Sequence, residues 1–348
     1  MALYIKHQPS PMPCRFSAFY FTSKILHRQS TKQANIPKFT MVGSKDLEPS
    51  RTPFYPNTYF HNQFIAKPQW PPKTTNLSGQ TAIVTGSNVG LGYEASLQLL
   101  ELKLTNLILA VRSTAKGEKA ASEMRRLYPK ANIEVWTLDL CSYDSVQAFT
   151  NKANNQLARI DIVILNAGLA RLEYNKVEST GHEQIFQVNY LSTILLTILL
   201  LPILKAKRPP GEKPAHLTIS SAALTLTCKF EHKHKTPLFA ALDDPANFHR
   251  GNSYIVSKLL AHIFLWNLVD YVSADDVIIN LADPAFVRGT AFARDLDNHK
   301  AFGLAFYILS IIAGARSPKV GASCYIDAVV SKGKESHGCF LMSWKIHP

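Results

Sequence analysis

From residue 80 onward, short runs rich in β-branched residues alternate with longer stretches whose apolar residues recur at helical spacing. The runs Thr81–Thr85, Leu107–Val111, Ile133–Leu138, Ile162–Leu165, Leu217–Ile219, Val277–Leu281 and Cys339–Met342 read as strands. Helical patterning covers residues 91–103, 115–128, 143–157, 182–206, 252–273 and 317–331 between and around them. Such alternation, joined by right-handed crossovers, predicts an α/β fold: a doubly wound parallel sheet of seven strands in a single domain, covered on both faces. No internal repeat interrupts it.

Two apolar stretches, Tyr190–Leu204 and Ala301–Ala315, are each 15 residues long. A bilayer crossing needs roughly 20, so no transmembrane span is expected. The first reads as a buried or subunit-contact helix. The second, bounded by Lys300 and Arg316, reads as a cap over an apolar substrate and leaves peripheral membrane contact open.

The 348 residues, 46% of them hydrophobic, suffice for one large core. The organisation expected is an N-terminal extension over residues 1–76 and a catalytic domain over 77–348, with an insert near 222–250 and the cap near 289–316. The formal charge of +13 would suggest nucleic acid if it lay on the folded domain, but seven basic residues precede the first acid, Asp46, leaving +6 for the rest. No nucleic-acid partner is expected. That acid-free leader leaves two readings open, an organellar targeting segment over residues 1–45 or a true start at Met41. Pro49, Pro53, Pro56, Pro68, Pro71 and Pro72 predict extended, draped backbone over 46–75. Five scattered cysteines without a Cys-x-x-Cys pair argue against a disulfide framework or zinc site and fit a reducing, cytoplasmic setting.

Candidate chemistry begins at Gly86-Ser87-Asn88-Val-Gly90-Leu91-Gly92, between an apolar strand and an apolar helix. Glycines there let backbone approach a pyrophosphate at a helix N-terminus. The second strand ends in Arg112, with Lys116 one turn on and no acid nearby, which suits a ribose 2′-phosphate and so NADP(H). Asp139 and Leu140 after the third strand, and Asn166-Ala167-Gly168 after the fourth, stand where adenine and ribose would lie. Tyr254 and Lys258 are one helical turn apart. An ammonium fixed beside a phenol favours the phenolate and makes Tyr a proton carrier.

Thr85-Gly-x3-Gly-x-Gly92, Asn166-Ala-Gly168, Asn189, Ser220-Ser221, Tyr254-x3-Lys258 and Pro284-x2-Val287 together resemble the short-chain dehydrogenase/reductase family over residues 77–345, in a long-insertion branch near fungal secondary-metabolite and retinol-dehydrogenase-like reductases. The resemblance implies that Tyr254 exchanges the proton, that Lys258 lowers the phenol's pKa and holds the nicotinamide ribose, and that Ser221 bonds the substrate oxygen. It implies further that Asn189 holds a water linking Lys258 to solvent, while Pro284, Val287 and Thr290 meet the carboxamide and a phosphate. Ser220 should face away from Ser221. The chain departs from the family at Asp283-Pro284-Ala285, where Asn-Pro-Gly is usual, and in the long Ser221-to-Tyr254 interval.

That interval contains Glu231-His-Lys-His234. Two alternating histidines without a further ligand read as a solvated loop, and no metal is expected. Phe230, Leu238, Phe239 and Phe248 read instead as a wall for an apolar substrate. The resemblance then implies an NADP(H)-dependent oxidoreductase acting on a ketone, aldehyde or secondary alcohol of a lipophilic terpenoid- or polyketide-like molecule, as monomer or homo-oligomer. A lipid carbonyl reductase and a catalytically weak cofactor-binding sensor or interaction protein are the alternatives.

Overall fold

In the computed structural model, which describes residues 45, 47–48, 52–288 and 310–348, the apolar runs become eight strands. These are β1 (Thr81–Thr85), β2 (Asn106–Val111), β3 (Asn132–Thr137), β4 (Ile162–Leu165), β5 (Ala215–Ser220), β6 (Val277–Asp283), β7 (Phe340–Met342) and β8 (Lys345–His347). They form one sheet in the order β3-β2-β1-β4-β5-β6-β7-β8, parallel through β7. The order reverses between β1 and β4, which opens a crevice at the carboxyl ends of those strands.

Alternation along each strand assigns the two faces. Ile83, Ile108, Val163 and Leu217 point to one, where they pack with residues of α3 (Tyr143–Gln156), α4 (Gln184–Ala206) and α6 (Asn252–Leu268). Val84, Leu109 and Ile164 point to the other, against α1 (Gly90–Glu101), α2 (Thr114–Leu127) and α7 (Pro318–Ile326). A short helix, α5 (Leu238–Asp243), lies in the insert.

The eighth strand corrects the expected count of seven. Ser343 and Trp344 take φ of 51° and 60°, turning the chain in two residues so that Lys345–His347 pairs antiparallel with β7. Ser-Trp is not a turn dipeptide. Tertiary contacts hold it: Trp344 is buried, donates from Nε1 to Ser323 Oγ at 3.2 Å, and lies 4.4 Å under the Arg316 guanidinium.

The length argument applied to Tyr190–Leu204 also needs revision, because the helix that contains it runs for 23 residues, with a mean hydropathy of 1.8 over its most apolar 18-residue window. Length and composition alone would allow a bilayer crossing. Burial explains the apolarity instead, with 61% of its most apolar window covered by protein. Within it, Gln187–Ser192 is π-helical.

The expectation of extended backbone over 46–75 gives way at 54–65 to two short helical turns, Phe54–Thr58 and His61–Ile65. Phe54 enters the core, Tyr59 Oη donates to Ala313 O at 2.9 Å, and buried Asn62 accepts from Ser343 Oγ at 2.7 Å. The leader over residues 1–44, Thr290 and the cap residues 289–309 lie outside the described residues.

Candidate active site

The glycine-rich turn is shaped by contacts that side chains would obstruct. Gly86 has φ +65°, and a Cβ on Gly92 would lie 2.6 Å from Asn166 Nδ2 and 2.7 Å from Gly86 O. Asn166 acts as the tie, donating to Thr85 O at 2.9 Å and Gly86 O at 3.3 Å, while Ala167 N donates to Thr85 Oγ1. The predicted Asn-Ala-Gly element therefore braces the turn from β4. Ser87 is fully buried, and its hydroxyl donates to Val84 O at 2.9 Å.

Arg112 and Lys116 are both exposed where β2 passes into α2, with Ser113 as the N-cap between them. Asp139 Oδ1 accepts from Cys141 N at 2.9 Å, and Leu140 sends its side chain into the core, leaving its main chain for any ligand. Across the crevice, Leu91 and Val287 close on Gly321 of α7, where a Cβ would sit 2.8 Å and 2.6 Å from their methyl groups. Pro284 O lies 3.6 Å from the same point. Thus Leu91, Pro284 and Val287 lie close around Gly321. Asn88 and Gly90 stand at the opening of α1.

Helix α6 presents Tyr254, Lys258 and His262 at successive i, i+4 positions, one stripe of its surface. Buried Lys258 donates from Nζ to Ser220 O at 2.7 Å, with Nζ 5.8 Å from the Tyr254 ring centroid. Ser220 and Ser221 diverge as alternation requires: Ser220 Oγ meets Tyr325 Oη at 2.7 Å, and Ser221 Oγ meets His262 Nε2 at 2.6 Å. Asn189, in the π-helical segment, accepts on Oδ1 from Leu169 N and donates to Leu169 O at 2.8 Å and Ser257 Oγ at 3.1 Å. Both its amide hydrogens are spent, leaving one Oδ1 lone pair for a water. A Cβ on Gly168 would lie 3.1 Å from that Oδ1 and 3.5 Å from Lys258 Nζ, so the two groups border one space.

The electrostatics correct the simple Tyr–Lys picture. Burial and the Asp283 carboxylate push the Tyr254 phenol up, not down, while burial lowers Lys258 to about 8. Burial and the Lys258 charge lower His262 to about 4 and keep its imidazole neutral. Buried Asp283 itself rises to about 6 against the opposing pull of Ala223 N, Arg316 and Ala285 N. Ala285 has φ +64°, a left-handed conformation costly for a residue with a Cβ, and Asp283 Oδ1 steadies it by accepting from Ala285 N at 3.0 Å.

The insert forms an apolar wall, in part as expected. Phe230, Phe239 and Leu242 pack with Phe186, Tyr190, Val256 and Leu260, whereas Phe248 instead meets Tyr174 edge-on. Asp243 pins the insert to the residues just before α4, through His182 Nδ1 at 2.7 Å and by accepting from Glu183 N at 2.9 Å. His262 and Tyr325 were missed by sequence reasoning. The spacing of His262 from Lys258 was a usable signal, but Tyr325 had none.

Residues 80–223 match the sequence profile of short chain dehydrogenases. The chain is 59% identical over 308 residues to the short chain dehydrogenase/reductase mfmJ of Annulohypoxylon moriforme, covering 88% of each. It is 43% identical over 284 residues to the short chain dehydrogenase virL of Hypocrea virens, covering 82% of each. Among solved structures, the RhlG/NADP active-site complex of Pseudomonas aeruginosa superposes with a TM-score of 0.57 at 18% identity, over 78% of this chain and 96% of that one. The NADPH-dependent 3-quinuclidinone reductase of Rhodotorula rubra also gives 0.57 at 18% identity, over 79% and 95%. At that identity the structures speak to the fold.

Proposed function

The chain belongs to the short-chain dehydrogenase/reductase family, and from that premise we propose that it is an NADP(H)-dependent oxidoreductase of a lipophilic carbonyl compound or secondary alcohol. The observation that carries the reading is the α6 stripe, which sets Lys258 on Ser220 O beside Ser221, at the carboxyl end of the sheet. The braced Gly86–Gly92 turn and exposed Arg112 and Lys116 fit a phosphate-bearing dinucleotide, as do the NADP-bound and NADPH-dependent relatives. When bound, such a cofactor supplies the hydride.

The residues supply the rest. Ser221 donates its hydroxyl to the substrate oxygen as charge develops there. It can do so only if it accepts from His262, so the neutral imidazole carries its proton on Nε2 and turns the Ser221 hydrogen outward. Tyr254, kept protonated by burial and Asp283, gives its proton to the nascent alkoxide, a far stronger base than any phenolate. Lys258 and the remaining Asn189 lone pair hold the water through which Tyr254 is reprotonated.

The apolar wall of Phe230 and Phe239 supports a terpenoid- or polyketide-like substrate, in a biosynthetic role of the kind the long-insertion branch suggests. The test is NADPH consumption with a panel of apolar ketones and aldehydes. Tyr254→Phe should abolish turnover and leave cofactor binding intact. Equal turnover in that variant would remove Tyr254 from the proton transfer.

A further inference from the structure

The insert carries donors that hydride transfer does not use. Glu231, His232 and His249 place one potential ligand atom each within 4.8 Å of one another. The sequence motif Glu231-His-Lys-His234 lacked a third ligand, and the fold provides one by closing the insert so that His249, just before α6, reaches the turn at 231–232. The His232 Nε2 atom is buried and has no hydrogen-bond partner among the described residues. A buried polar atom in that condition costs about 1–3 kcal/mol unless something bonds to it. The same spot borders a pocket lined by Glu231, His232, Asn252, Ser253 and Ser257.

We propose that Glu231, His232 and His249 form a binding site for a divalent transition-metal ion of the zinc type. Two imidazoles and one carboxylate are the donor chemistry of such ions, whereas magnesium and calcium demand oxygen ligands in greater number. Ligand bonds of about 2.0–2.1 Å in tetrahedral geometry put donors roughly 3.4 Å apart. The longest separation, 4.8 Å at most, needs to contract by no more than about 1.4 Å, and the exposed Glu231 and His249 side chains can supply that by rotation. Three protein ligands leave a fourth position for water.

The ion would tie the turn after Phe230 to the segment that opens α6. It would thereby hold the apolar wall against the helix that bears Tyr254 and Lys258. Its role is to fix the pocket's shape, and its existence does not depend on the hydride chemistry.

The test uses the full-length protein stripped with a chelator, titrated with Zn2+ by calorimetry and with Co2+ by the visible absorption of a four-coordinate ion. Wild type should bind one equivalent, and bound Zn2+ should raise its unfolding temperature. His249→Ala and, separately, His232→Ala should weaken binding by about 100-fold or more and lose the thermal shift, while His234→Ala leaves both unchanged. His249→Gln provides a second exposed-site variant, and metal-free unfolding temperatures matching wild type establish that each variant is folded. Absence of saturable binding by wild type overturns the proposal. So does binding that survives both His232→Ala and His249→Ala, which would place the ion on other histidines.

Discussion

Replacing Asp283 by Asn should make this protein more stable at neutral pH. Asp283 is 2% exposed at the end of β6, and burial lifts its carboxyl from 3.8 to about 6. Because the folded state binds that proton more tightly, the favourable contribution is complete below pH 3.8 and is lost as the pH rises through about 6. Two pKa units correspond to about 3 kcal/mol. Asn keeps the acceptor that Ala285 N uses and removes the buried charge, so Asp283→Asn should gain up to about 3 kcal/mol near pH 7, with the gain shrinking below about pH 4. Loss of the attraction to Arg316 works against the gain and is already part of the lifted value. Denaturant unfolding of both proteins across this pH range measures it. A variant less stable than wild type at neutral pH, or an offset that does not change with pH, would refute the reasoning. The same substitution should lower the Tyr254 pKa and move the basic limb of kcat/KM for reduction to lower pH.

Ser221→Ala should cost about 10²–10³-fold in kcat, as loss of an oxyanion donor does. His262→Ala should cost part of that in wild type and nothing in the Ser221→Ala background, since it acts through Ser221; a further loss there would give it an independent role. Arg112→Asp should weaken NADPH more than NADH in binding titrations, and equal weakening would remove the 2′-phosphate contact. Ala285→Gly should relieve left-handed strain of about 1–2 kcal/mol, offset by about 0.4–1 kcal/mol of added unfolded-state entropy, for a small net stabilisation by thermal unfolding.

Much of the site was legible because its signals are local. The glycines of 86–92, the Tyr254–Lys258 spacing and the Arg112–Lys116 pair each depend on a strand end or one helical turn, which composition and periodicity reveal. Asn189 was found, but its side chain proved to be mostly a clamp on Leu169. The hairpin at Ser343-Trp344 was invisible because its turn is stabilised by Arg316 and Ser323, not by turn-forming residues. The sign of the Tyr254 shift was misjudged for a related reason. The neighbouring Lys258 could be read from spacing, but burial and Asp283, brought in from another strand, could not.

Sequence alone determined the alternation of strands and helices, the glycine turn at 86–92 and the one-turn spacing of Tyr254 and Lys258, since these follow from periods of two and 3.6 residues and from backbone freedom at glycine. Tertiary structure decided the partnerships across long intervals: Ser221 with His262, Ser220 with Tyr325 and Lys258, and His232 with His249. Hydrogen bonds, desolvation and ligand geometry act over a few ångströms in space, and only the folded sheet brings those positions within that range.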